Sequence, residues 1–524
     1  MVGLNYNLSA MQQYIYNTGA LFSEVCNANA GRTALKYPDG STVSYTGLEQ
    51  LSNKIAHYYL SIGLTKGDVI AIFNNKSPLG YACMLAALKM GVIYTNLDLT
   101  SPYQRIKKII DRCAPKYILY DIACAVKEET DGLGIPTICL YEHFEEKIKD
   151  MEQTLPVVTT NVTGSDGAYI MFTSGSTGFP KGAVITHTNL INFISWGQGE
   201  FGITSEDILT NANPIYFDNS VFDFYISLFS GAQLVPLTNE LTRDPFTLVK
   251  EVAKAGCTTW FSVPSLLIYL MTTKSLAATS LPAMKRFIFG GEGFAKPKLK
   301  KLYDMYGSSA RLYNVYGPTE CTCICSSYLI DESDFEGMGN LAPLGFLAPN
   351  FDYVLMNPDA NASYGELCLK GPNVGAGYYN DKERTLNSFI QNPYNDKYNE
   401  VIYRTGDLVQ VDDNGYLNFK GRADNQIKHM GYRIELEEIE SLLNTLAYVD
   451  EAAVIYEHIN ESLGQIVAFV ATGAAKEPAE VLSDLKLLVP EYMVPRKMYI
   501  FEQLPKNQNG KIDKVALKEI KMPV

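Results

Sequence analysis

The sequence lacks the features that would direct a chain to a membrane or to nucleic acid. It has no uninterrupted apolar run of membrane-spanning length, and its first residues lack the basic segment and apolar run of a signal peptide. Basic residues are not in excess either, because 44 Lys and Arg against 57 Asp and Glu give a net charge of −13. That sign disfavours nucleic acid and anionic membranes as partners. These absences predict a cytoplasmic protein.

No compact cysteine framework is present. The ten cysteines are dispersed along 524 residues and mostly have apolar neighbours, which is typical of reduced, buried thiols. Cys321, Cys323 and Cys325 alternate along the chain, so that on a strand they would share one face. Because zinc-binding pairs usually need a wider spacing, we expect no metal centre at these cysteines.

The sequence also shows no internal repeat, no low-complexity segment and no proline-rich linker. Its length suggests about three domains or subdomains, and 47% hydrophobic with 19% charged residues is typical of a globular protein. Strand-like and helix-like segments alternate from about residue 43 onward. The alternation predicts an α/β fold in which helices cover both faces of a parallel sheet.

Residues 168–182 carry the clearest chemical signal. An apolar run ends at Phe172 and is followed by seven residues rich in Ser, Thr and Gly and then by Pro180-Lys181. Glycines in such a loop expose several backbone N–H groups to one anion, and the hydroxyls and the lysine add donors and charge. The pattern predicts a phosphate-binding loop, with a polar surface turn as the alternative, and it differs from the ordinary P-loop in the residues that flank the lysine. The candidate residues are Thr173, Ser174, Gly175, Ser176, Thr177, Gly178 and Lys181.

Three carboxylates are candidate ligand contacts, and ligands in open α/β sheets bind at the carboxyl ends of the strands. Asp218 lies at the edge of an apolar segment and suits either a ligand contact or a helix N-cap. Glu320 follows Tyr-Gly-Pro-Thr; a carboxylate beside a triphosphate needs a divalent cation between them, so it predicts a Mg²⁺ ligand, with a plain turn carboxylate as the alternative. Asp407 follows a glycine at a strand–turn boundary, where an acceptor suits two ribose hydroxyls.

The chain resembles the adenylate-forming superfamily, which includes acyl-CoA synthetases, luciferases and the amino-acid adenylation domains of nonribosomal peptide synthetases. The resemblance covers about residues 20–518. Two positions depart from the family pattern, because Glu437 replaces a usual glycine and a proline usual after Tyr94 is missing. The motifs that carry the resemblance occur in the family order: the loop at 168–182, Tyr-Gly-Pro-Thr-Glu at 316–320, Tyr-Arg-Thr-Gly-Asp-Leu at 403–408 and the segment 421–440.

The resemblance implies an architecture and a reaction. Residues 1–423 would form a large N-terminal domain of parallel-rich sheets flanked by helices, with a small β-rich subdomain. Residues 424–524 would form a small, mobile α+β C-terminal domain with its hinge at Asp424. The implied enzyme is an amino-acid adenylating ligase that makes aminoacyl-AMP and pyrophosphate from an amino acid and Mg-ATP. It then passes the acyl group to the phosphopantetheine thiol of a carrier protein, which acts in trans or has been cut from the same chain.

Aligned motif by motif, the resemblance also assigns roles to residues. The catalytic residues would be Lys511, Glu320 and Thr173, with Glu320 as the magnesium ligand. Beyond the phosphate loop, the ATP contacts would be Gly291, Asn314, Tyr316, Gly317, Thr319, Asp407, Arg422 and Lys511. The substrate contacts would be Asp218, on the α-ammonium group, and Asn219, Phe222, Phe261, Ile288, Gly290, Val315, Cys323 and Ile324, around the side chain.

The predicted side-chain pocket is apolar apart from Asn219. A charged substrate side chain would be buried there without a partner, two phenylalanines fill the space that Trp or Tyr needs, and Gly290 leaves room for more than alanine. The combination of two phenylalanines, glycine and valine resembles the isoleucine and valine pockets of the family, and the resemblance implies a branched aliphatic L-amino acid, isoleucine or valine ahead of leucine, with threonine left open through Asn219. The alternatives are a D-alanine–carrier protein ligase, a CoA-forming carboxylic acid ligase, which Asp218 disfavours, and a non-catalytic adenylate-binding scaffold.

Overall fold

Strands of the N-terminal part form where short apolar runs are bounded by turn residues. The stretch Val69–Phe73, for example, is buried at all five positions, as expected for a strand covered on both faces. The first eight strands are β1 Thr33–Lys36, β2 Thr42–Ser44, β3 Val69–Phe73, β4 Ile93–Asn96, β5 Tyr117–Tyr120, β6 Thr137–Cys139, β7 Gly167–Thr173 and β8 Lys181–Thr186. The computed structural model describes residues 15–123, 127–175, 178–337, 341–356, 363–460, 463–507 and 512–520.

Two parallel-rich sheets organise this part of the chain. Six strands form one sheet in the order β6-β5-β3-β4-β7-β8, in which only β7 and β8 are antiparallel. The second sheet has nine strands in the order β15-β14-β13-β12-β11-β9-β10-β1-β2 and is parallel from β13 to β1. Its further strands are β9 Ile208–Asn211, β10 Gln233–Pro236, β11 Thr259–Ser262, β12 Arg286–Gly290, β13 Arg311–Tyr316, β14 Ser326–Leu329 and β15 Phe346–Leu347.

Helices pack on both sheets, and a large apolar cluster joins the sheets through them. Local capping sets their ends: the helix at 78–90 begins after Ser77, which accepts the Gly80 N–H, and ends at Gly91 with a φ of 68°. The helices are α1 Thr18–Ala28, α2 Tyr45–Ser61, α3 Pro78–Met90, α4 Tyr103–Cys113, α5 Lys127–Asp131, α6 Phe144–Ile148, α7 His187–Phe201, α8 Asn219–Val221, α9 Ser227–Phe229, α10 Asn239–Arg243, α11 Pro245–Ala255, α12 Pro264–Thr272 and α13 Lys296–Tyr306, with a π-helix at Phe222–Ile226.

A smaller antiparallel sheet follows, and then a compact α+β unit. The smaller sheet contains β16 Asp352–Met356, β17 Tyr364–Lys370, β18 Phe389–Gln391, β19 Val401–Val411 and β20 Leu417–Arg422, with helix α14 Lys382–Ser388. The α+β unit contains the hairpin β21 Gln426–His429 and β22 Tyr432–Glu435, the sheet β23 Glu451–Asn460, β24 Leu463–Ala471 and β25 Lys497–Phe501, and helices α15 Leu436–Leu443, α16 Pro478–Lys486 and α17 Lys514–Glu519. Short 3₁₀-helices lie at Val157–Asn161, Thr319–Cys321, Glu332–Phe335 and Glu491–Met493.

The architecture confirms the predicted fold class. Parallel-rich sheets flanked by helices are followed by a β-rich subdomain and a C-terminal α+β domain. The predicted domain boundary at Asp424 falls in the link between β20 and β21 and stays a prediction. Among the described residues, no helix is both long enough and apolar enough to cross a membrane.

One local prediction is wrong. The alternating cysteines at 321–325 do not lie on a strand, because Thr322 and Cys323 have φ values of 59° and 72° and turn the chain between a 3₁₀-helix and β14. Nine cysteines lie in the described part of the chain and all are free; eight are buried and Cys139 is partly exposed. The described residues contain no cluster of three or more metal-ligating side chains.

Candidate functional site

A cavity of about 80 Å³ lies near the carboxyl ends of strands β7, β11, β12 and β13. Its walls come from segments far apart in the sequence, including the C-terminal hairpin formed by β21 and β22. The convergence follows from topology, since the ends of parallel strands meet at one edge of a sheet. The predicted residues that line the cavity are Thr173, Ser174, Asp218, Asn219, Phe261, Gly290, Gly291, Val315, Tyr316, Gly317, Thr319, Cys323, Ile324, Asp407 and Arg422.

The predicted phosphate loop connects two antiparallel strands, which pair Thr173 with Lys181. Gly175 has no space for a side chain, because a Cβ atom there would lie 2.2 Å from a carbonyl oxygen across the turn, and Gly178 has a φ of 76°. The hydroxyl of Thr173 is buried and has no hydrogen-bond partner among the described residues. A tight turn with a hydroxyl donor that has no partner in the described part of the protein suits an anion. Two of the predicted loop residues, Ser176 and Thr177, lie outside the described residues.

The C-terminal domain occupies the donors of this loop. The segment 433–438, which runs from β22 into α15, supplies one backbone carbonyl and two carboxylates to it. Burial lowers the pKa of Lys181, and the neighbouring carboxylates oppose that shift. The contacts are Ser174 Oγ to Arg433 O at 2.6 Å, Gly175 N to Glu438 Oε2 at 3.0 Å and Lys181 Nζ to Glu435 Oε1 at 3.3 Å.

Glu320 is a buried and fully engaged carboxylate. Arg433 Nη1 donates to its Oε2 at 2.7 Å, the hydroxyl of Tyr378 donates to its Oε1 at 2.7 Å, and Lys181 Nζ lies 3.9 Å away. Burial alone would raise the pKa of Glu320, but Arg433 and Lys181 outweigh it and lower the pKa to about 2. The carboxylate is therefore ionised at neutral pH.

The predicted magnesium role of Glu320 fits these surroundings under one condition. Mg²⁺ is usually held by one or two carboxylates together with substrate phosphates and water, and Glu320 faces the phosphate loop. In the present arrangement Arg433 occupies the carboxylate. A magnesium ion at Glu320 therefore requires that Arg433 withdraw with the C-terminal domain.

Asp218 lines the cavity and stands at the N-cap position of helix α8. Its side chain makes no capping hydrogen bond to that helix, whereas Thr319 Oγ1 donates to its Oδ2 at 2.5 Å. Burial raises its pKa, and the hydrogen bond from Thr319 opposes that shift. The carboxylate therefore does not cap the helix through its side chain, and its contact with the α-ammonium group of a substrate stays a prediction.

Asp407 and Arg422 also line the cavity. They are paired across the antiparallel strands β19 and β20, and Arg422 Nη1 donates to Asp407 Oδ1 at 2.5 Å. The hydroxyl of Tyr316 donates to Asp407 Oδ2 at 2.5 Å, and Arg422 also contacts Asp424 at 2.6 and 2.7 Å. The predicted nucleotide residues thus form one hydrogen-bonded group that reaches the predicted hinge.

Gly290 lines the cavity and lies against Val315. A Cβ atom on Gly290 would lie 2.4 Å from the carbonyl oxygen of Val315 and 2.7 Å from its Cγ2. A side chain at position 290 would therefore collide with Val315, and the expectation that Gly290 leaves room for a substrate side chain larger than that of alanine stays a prediction. Two other predicted residues, Phe222 and Ile288, are fully buried and do not line the cavity.

Asn219 is the polar exception among the predicted side-chain contacts. The residue is 5% exposed and lines the cavity, and its amide nitrogen is buried without a hydrogen-bond partner among the described residues. A buried donor without a partner costs free energy of about 1–3 kcal/mol. The amide is therefore available to a ligand group that accepts a hydrogen bond.

A second cavity, of about 370 Å³, adjoins the first between the N-terminal part and the C-terminal domain. It is lined by the predicted ATP residues Gly291, Asn314, Tyr316 and Arg422. Three of them, Gly291, Tyr316 and Arg422, also line the first cavity, whereas Asn314 does not. The predicted catalytic Lys511 lies outside the described residues. Its described neighbours Lys506 and Ile512 pair with each other and line neither cavity.

Sequence reasoning missed the residues that the C-terminal domain brings to the site. All but one belong to the quoted motif 421–440, in which a role was assigned to Arg422 and Asp424 but not to the charged side chains that follow. The run of carboxylates in Glu-Leu-Glu-Glu-Ile-Glu was the available signal. The missed residues are Gln426, Lys428, Gly431, Arg433, Glu435 and Glu438, together with Arg105 from α4.

Comparison with known proteins gives consistent similarities. Residues 22–379 match the family described as AMP-binding enzyme, and residues 438–511 match the AMP-binding enzyme C-terminal domain. The chain is similar to the D-alanine–D-alanyl carrier protein ligase of Listeria monocytogenes serotype 4a (strain HCC23), with 32% identity over 91% of this chain and 94% of that protein. It is also 32% identical to surfactin synthase subunit 2 of Bacillus subtilis (strain 168), over 95% of this chain but 14% of that protein.

Among solved structures, the fold is similar to that of the Vibrio cholerae adenylation domain AlmE in complex with glycyl-adenosine-5'-phosphate. The TM-score is 0.81 at 25% sequence identity, and the match covers 97% of this chain and 98% of that one. Sequence family and fold therefore agree over nearly the whole chain.

Proposed function

The chain belongs to the AMP-binding enzyme family, and from that premise we propose that it joins a small amino acid to a carrier protein. It is an adenylate-forming ligase, and such enzymes use ATP. In the proposed reaction it forms aminoacyl-AMP and pyrophosphate and then transfers the acyl group to the phosphopantetheine thiol of the carrier. The similarity to D-alanine–D-alanyl carrier protein ligases over more than nine-tenths of both chains supports a carrier protein as acceptor.

The observation that carries the proposal is the placement of Asp218. Its carboxylate faces the same cavity as Thr173 of the phosphate loop and Asp407 at the nucleotide end. An amino acid bound there through its ammonium group would direct its carboxylate toward the nucleotide phosphates. A carboxylic acid without an ammonium group would leave the Asp218 charge unpaired, which disfavours the CoA-forming alternative.

The first half-reaction consists mainly of positioning and charge neutralisation. A substrate carboxylate oxygen bonds to the α-phosphorus while the bond from that phosphorus to the bridging oxygen breaks and pyrophosphate leaves. We assign Lys181, the N–H of Gly175 and the hydroxyls of Thr173 and Ser174 to the phosphates. Mg²⁺, held by Glu320, would supply positive charge between the phosphate oxygens. Lys511 is proposed as the donor that reaches the site when the C-terminal domain is rotated about Asp424.

In the second half-reaction a thiolate attacks the acyl carbon and AMP leaves with the bonding electrons. The present arrangement suits this step, because Arg433 and Gly431 line the cavity whereas the described neighbours of Lys511 do not. The second cavity, of about 370 Å³, lies between the domains and reaches Gly291. We propose that the phosphopantetheine arm enters through it.

D-alanine is the first candidate substrate. The relative that matches more than nine-tenths of this chain is named a D-alanine–D-alanyl carrier protein ligase, and the similar Vibrio cholerae domain is in complex with glycyl-adenosine-5'-phosphate, the adenylate of another small amino acid. Isoleucine and valine remain the second candidates, since Phe261, Val315 and Ile324 make the cavity wall apolar. The neutral lining disfavours charged side chains.

Amino-acid-dependent exchange of pyrophosphate into ATP tests the proposal. The panel contains D-alanine, L-alanine, glycine, L-valine, L-isoleucine, L-threonine and L-lysine. We expect D-alanine to give the highest kcat/KM, with glycine and L-alanine next and lysine inactive. The highest rate with a branched amino acid would restore the second candidate. Absence of exchange with every α-amino acid would refute amino-acid activation and favour the non-catalytic alternative.

A further inference from the structure

The phosphate loop is occupied in this structure by carboxylates of the protein itself. Glu438, in the first turn of α15, is almost fully buried, and its Oε2 accepts the N–H of Gly175 at 3.0 Å. Its other oxygen lies 2.6 Å from Arg105 Nη1, which holds the carboxylate in place. A backbone N–H of an anion-binding loop has thus received an anion from the other domain.

Glu435 adds a second carboxylate at the lysine of the loop. Its Oε1 lies 3.3 Å from Lys181 Nζ, and its own N–H donates to Ser174 Oγ at 3.2 Å. Both side chains of this pair are about one-tenth exposed, so water screens the attraction only weakly. The loop lysine and the loop N–H are therefore neutralised together by two carboxylates three residues apart in one segment.

Arg433 adds a positive charge to the two carboxylates of this segment. Its guanidinium binds Glu320, the proposed magnesium ligand, at 2.7 Å. Residues 433–438 therefore place two negative groups on the proposed phosphate donors and one positive group on the proposed metal ligand. This is the charge pattern of magnesium pyrophosphate.

We propose that segment 433–438 is an internal substitute for magnesium pyrophosphate, with Glu438 and Glu435 as positioning residues for thioester formation. The inference rests on the proposed function and extends it. A phosphate oxygen and the Glu438 carboxylate compete for one N–H, so the present arrangement and a loop filled by pyrophosphate exclude each other. The segment takes the loop after pyrophosphate has left and holds the hairpin in the cavity for the transfer step.

A calorimetric titration of the full chain with pyrophosphate and Mg²⁺, in the absence of other substrates, tests whether pyrophosphate and the Glu438 carboxylate compete for the loop. Glu438→Gln removes the competing charge and nearly preserves the shape of the side chain. We expect the variant to bind pyrophosphate about tenfold more tightly than the wild type, because a larger fraction of the protein has an open loop. Glu435→Gln should act in the same direction.

Glu437→Gln is the matched control, since Glu437 lies on the same helix and contacts Asn425 rather than the loop. Its pyrophosphate affinity should stay within about twofold of wild type. Equal affinities in wild type and both loop-facing variants, with melting temperatures retained, would overturn the inference. So would tighter binding in the control equal to that in Glu438→Gln, because the effect would then be one of net charge.

Transfer from preformed aminoacyl-AMP to a pantetheine thiol gives the second readout. We expect Glu438→Gln to lower kcat of transfer about tenfold and to make transfer more sensitive to added pyrophosphate, while Glu438→Asp restores part of both. Unchanged transfer and pyrophosphate sensitivity in Glu438→Gln would overturn the positioning role. The binding measurement needs no amino acid, so a wrong substrate assignment cannot be mistaken for failure of this inference.

Discussion

The site has a phosphate end, formed by the phosphate loop and Glu320, and a side-chain end, formed by the wall of the cavity, and the two ends are built in different ways. At the phosphate end, Lys181 and Glu320, which do not line the cavity itself, are paired with groups of the C-terminal domain. At the side-chain end, Phe261, Val315 and Asn219 all come from the N-terminal part, and the Asn219 amide nitrogen has no described partner. The phosphate end therefore changes whenever the C-terminal domain moves, whereas the side-chain end is preformed.

This difference separates chemistry from selectivity. Groups that change partners are suited to a sequence of two half-reactions, because each arrangement presents a different set of charges. A preformed wall is suited to selecting one amino acid by shape. Substitutions at the phosphate end should therefore act differently on the two half-reactions, and substitutions at the side-chain end should act on the choice of substrate.

The largest effect is expected at Lys511, the proposed mobile donor. Lys511→Ala should lower the adenylation rate by about 100- to 1000-fold, the scale of one lost transition-state donor. ATP binding and melting temperature should change little. Pyrophosphate exchange measures the adenylation rate.

The same variant sharpens the contrast between the half-reactions. Transfer from supplied aminoacyl-AMP should be nearly unaffected in Lys511→Ala, because the proposed rotation carries the lysine out of the site. Equal losses in both steps would show that one fixed arrangement serves both.

Next in size is the effect of acid on the Glu320–Arg433 pair, which joins the two domains. The pKa of Glu320 is lowered to about 2 from an ordinary value of 4.5. The stability that the ionised carboxylate contributes to the folded protein is therefore fully present above pH 4.5 and is lost as the pH falls toward 2. This pKa shift corresponds to about 3 kcal/mol in the free energy of unfolding. The melting temperature should fall between pH 5 and pH 3, and less steeply in Glu320→Gln. Parallel pH profiles would show that the pair contributes nothing to this dependence.

A substitution at Asp218, the proposed contact of the α-ammonium group, tests how the amino acid is bound. Asp218→Ala should raise KM for the amino acid by roughly 100-fold, as expected when a buried charge pair loses one partner. A matched 2-hydroxy acid, which lacks the ammonium group, should be activated no worse by the variant than by the wild type, because the variant has no Asp218 charge for it to leave unpaired. A normal KM for the amino acid in the variant would remove Asp218 from the site.

The smallest effect is expected at the preformed end. Asn219→Ala should change kcat/KM for D-alanine by less than about tenfold, since single contacts in such pockets discriminate weakly. If the true substrate carries a side-chain hydroxyl, the same substitution should instead cost roughly 100-fold for that substrate, because a hydrogen-bonding contact is lost. A comparison of D-alanine, serine and threonine in wild type and variant separates the two cases.

Much of the preformed part could be predicted from the sequence. Asp407 and Arg422 stand in motifs that border one antiparallel pair, and Asp218 and Thr173 follow strands whose ends meet at one edge. Motif positions could not predict which of the pocket residues reach the surface of the cavity and which lie behind it. Phe222 packs behind Phe261, with ring centroids 4.9 Å apart, and does not reach the cavity.

The contacts between domains could not be predicted in the same way. Gly175 and Glu438 are 263 residues apart, and their hydrogen bond depends on where the C-terminal domain rests. No local periodicity encodes that placement. The turn at Thr322 and Cys323 was missed for another reason, because left-handed backbone is uncommon for residues other than glycine.

The most direct test of the account follows both half-reactions in one vessel. The full chain is incubated with Mg-ATP, D-alanine and a phosphopantetheine-bearing D-alanyl carrier protein, and the intact mass of the carrier is measured together with released pyrophosphate and AMP. We expect the carrier to gain the mass of one alanyl group, in a thioester that hydroxylamine removes, with one pyrophosphate and one AMP for each group loaded. Release of pyrophosphate and AMP with no acyl group on the carrier, for any amino acid of the panel, would contradict the proposed ligase function.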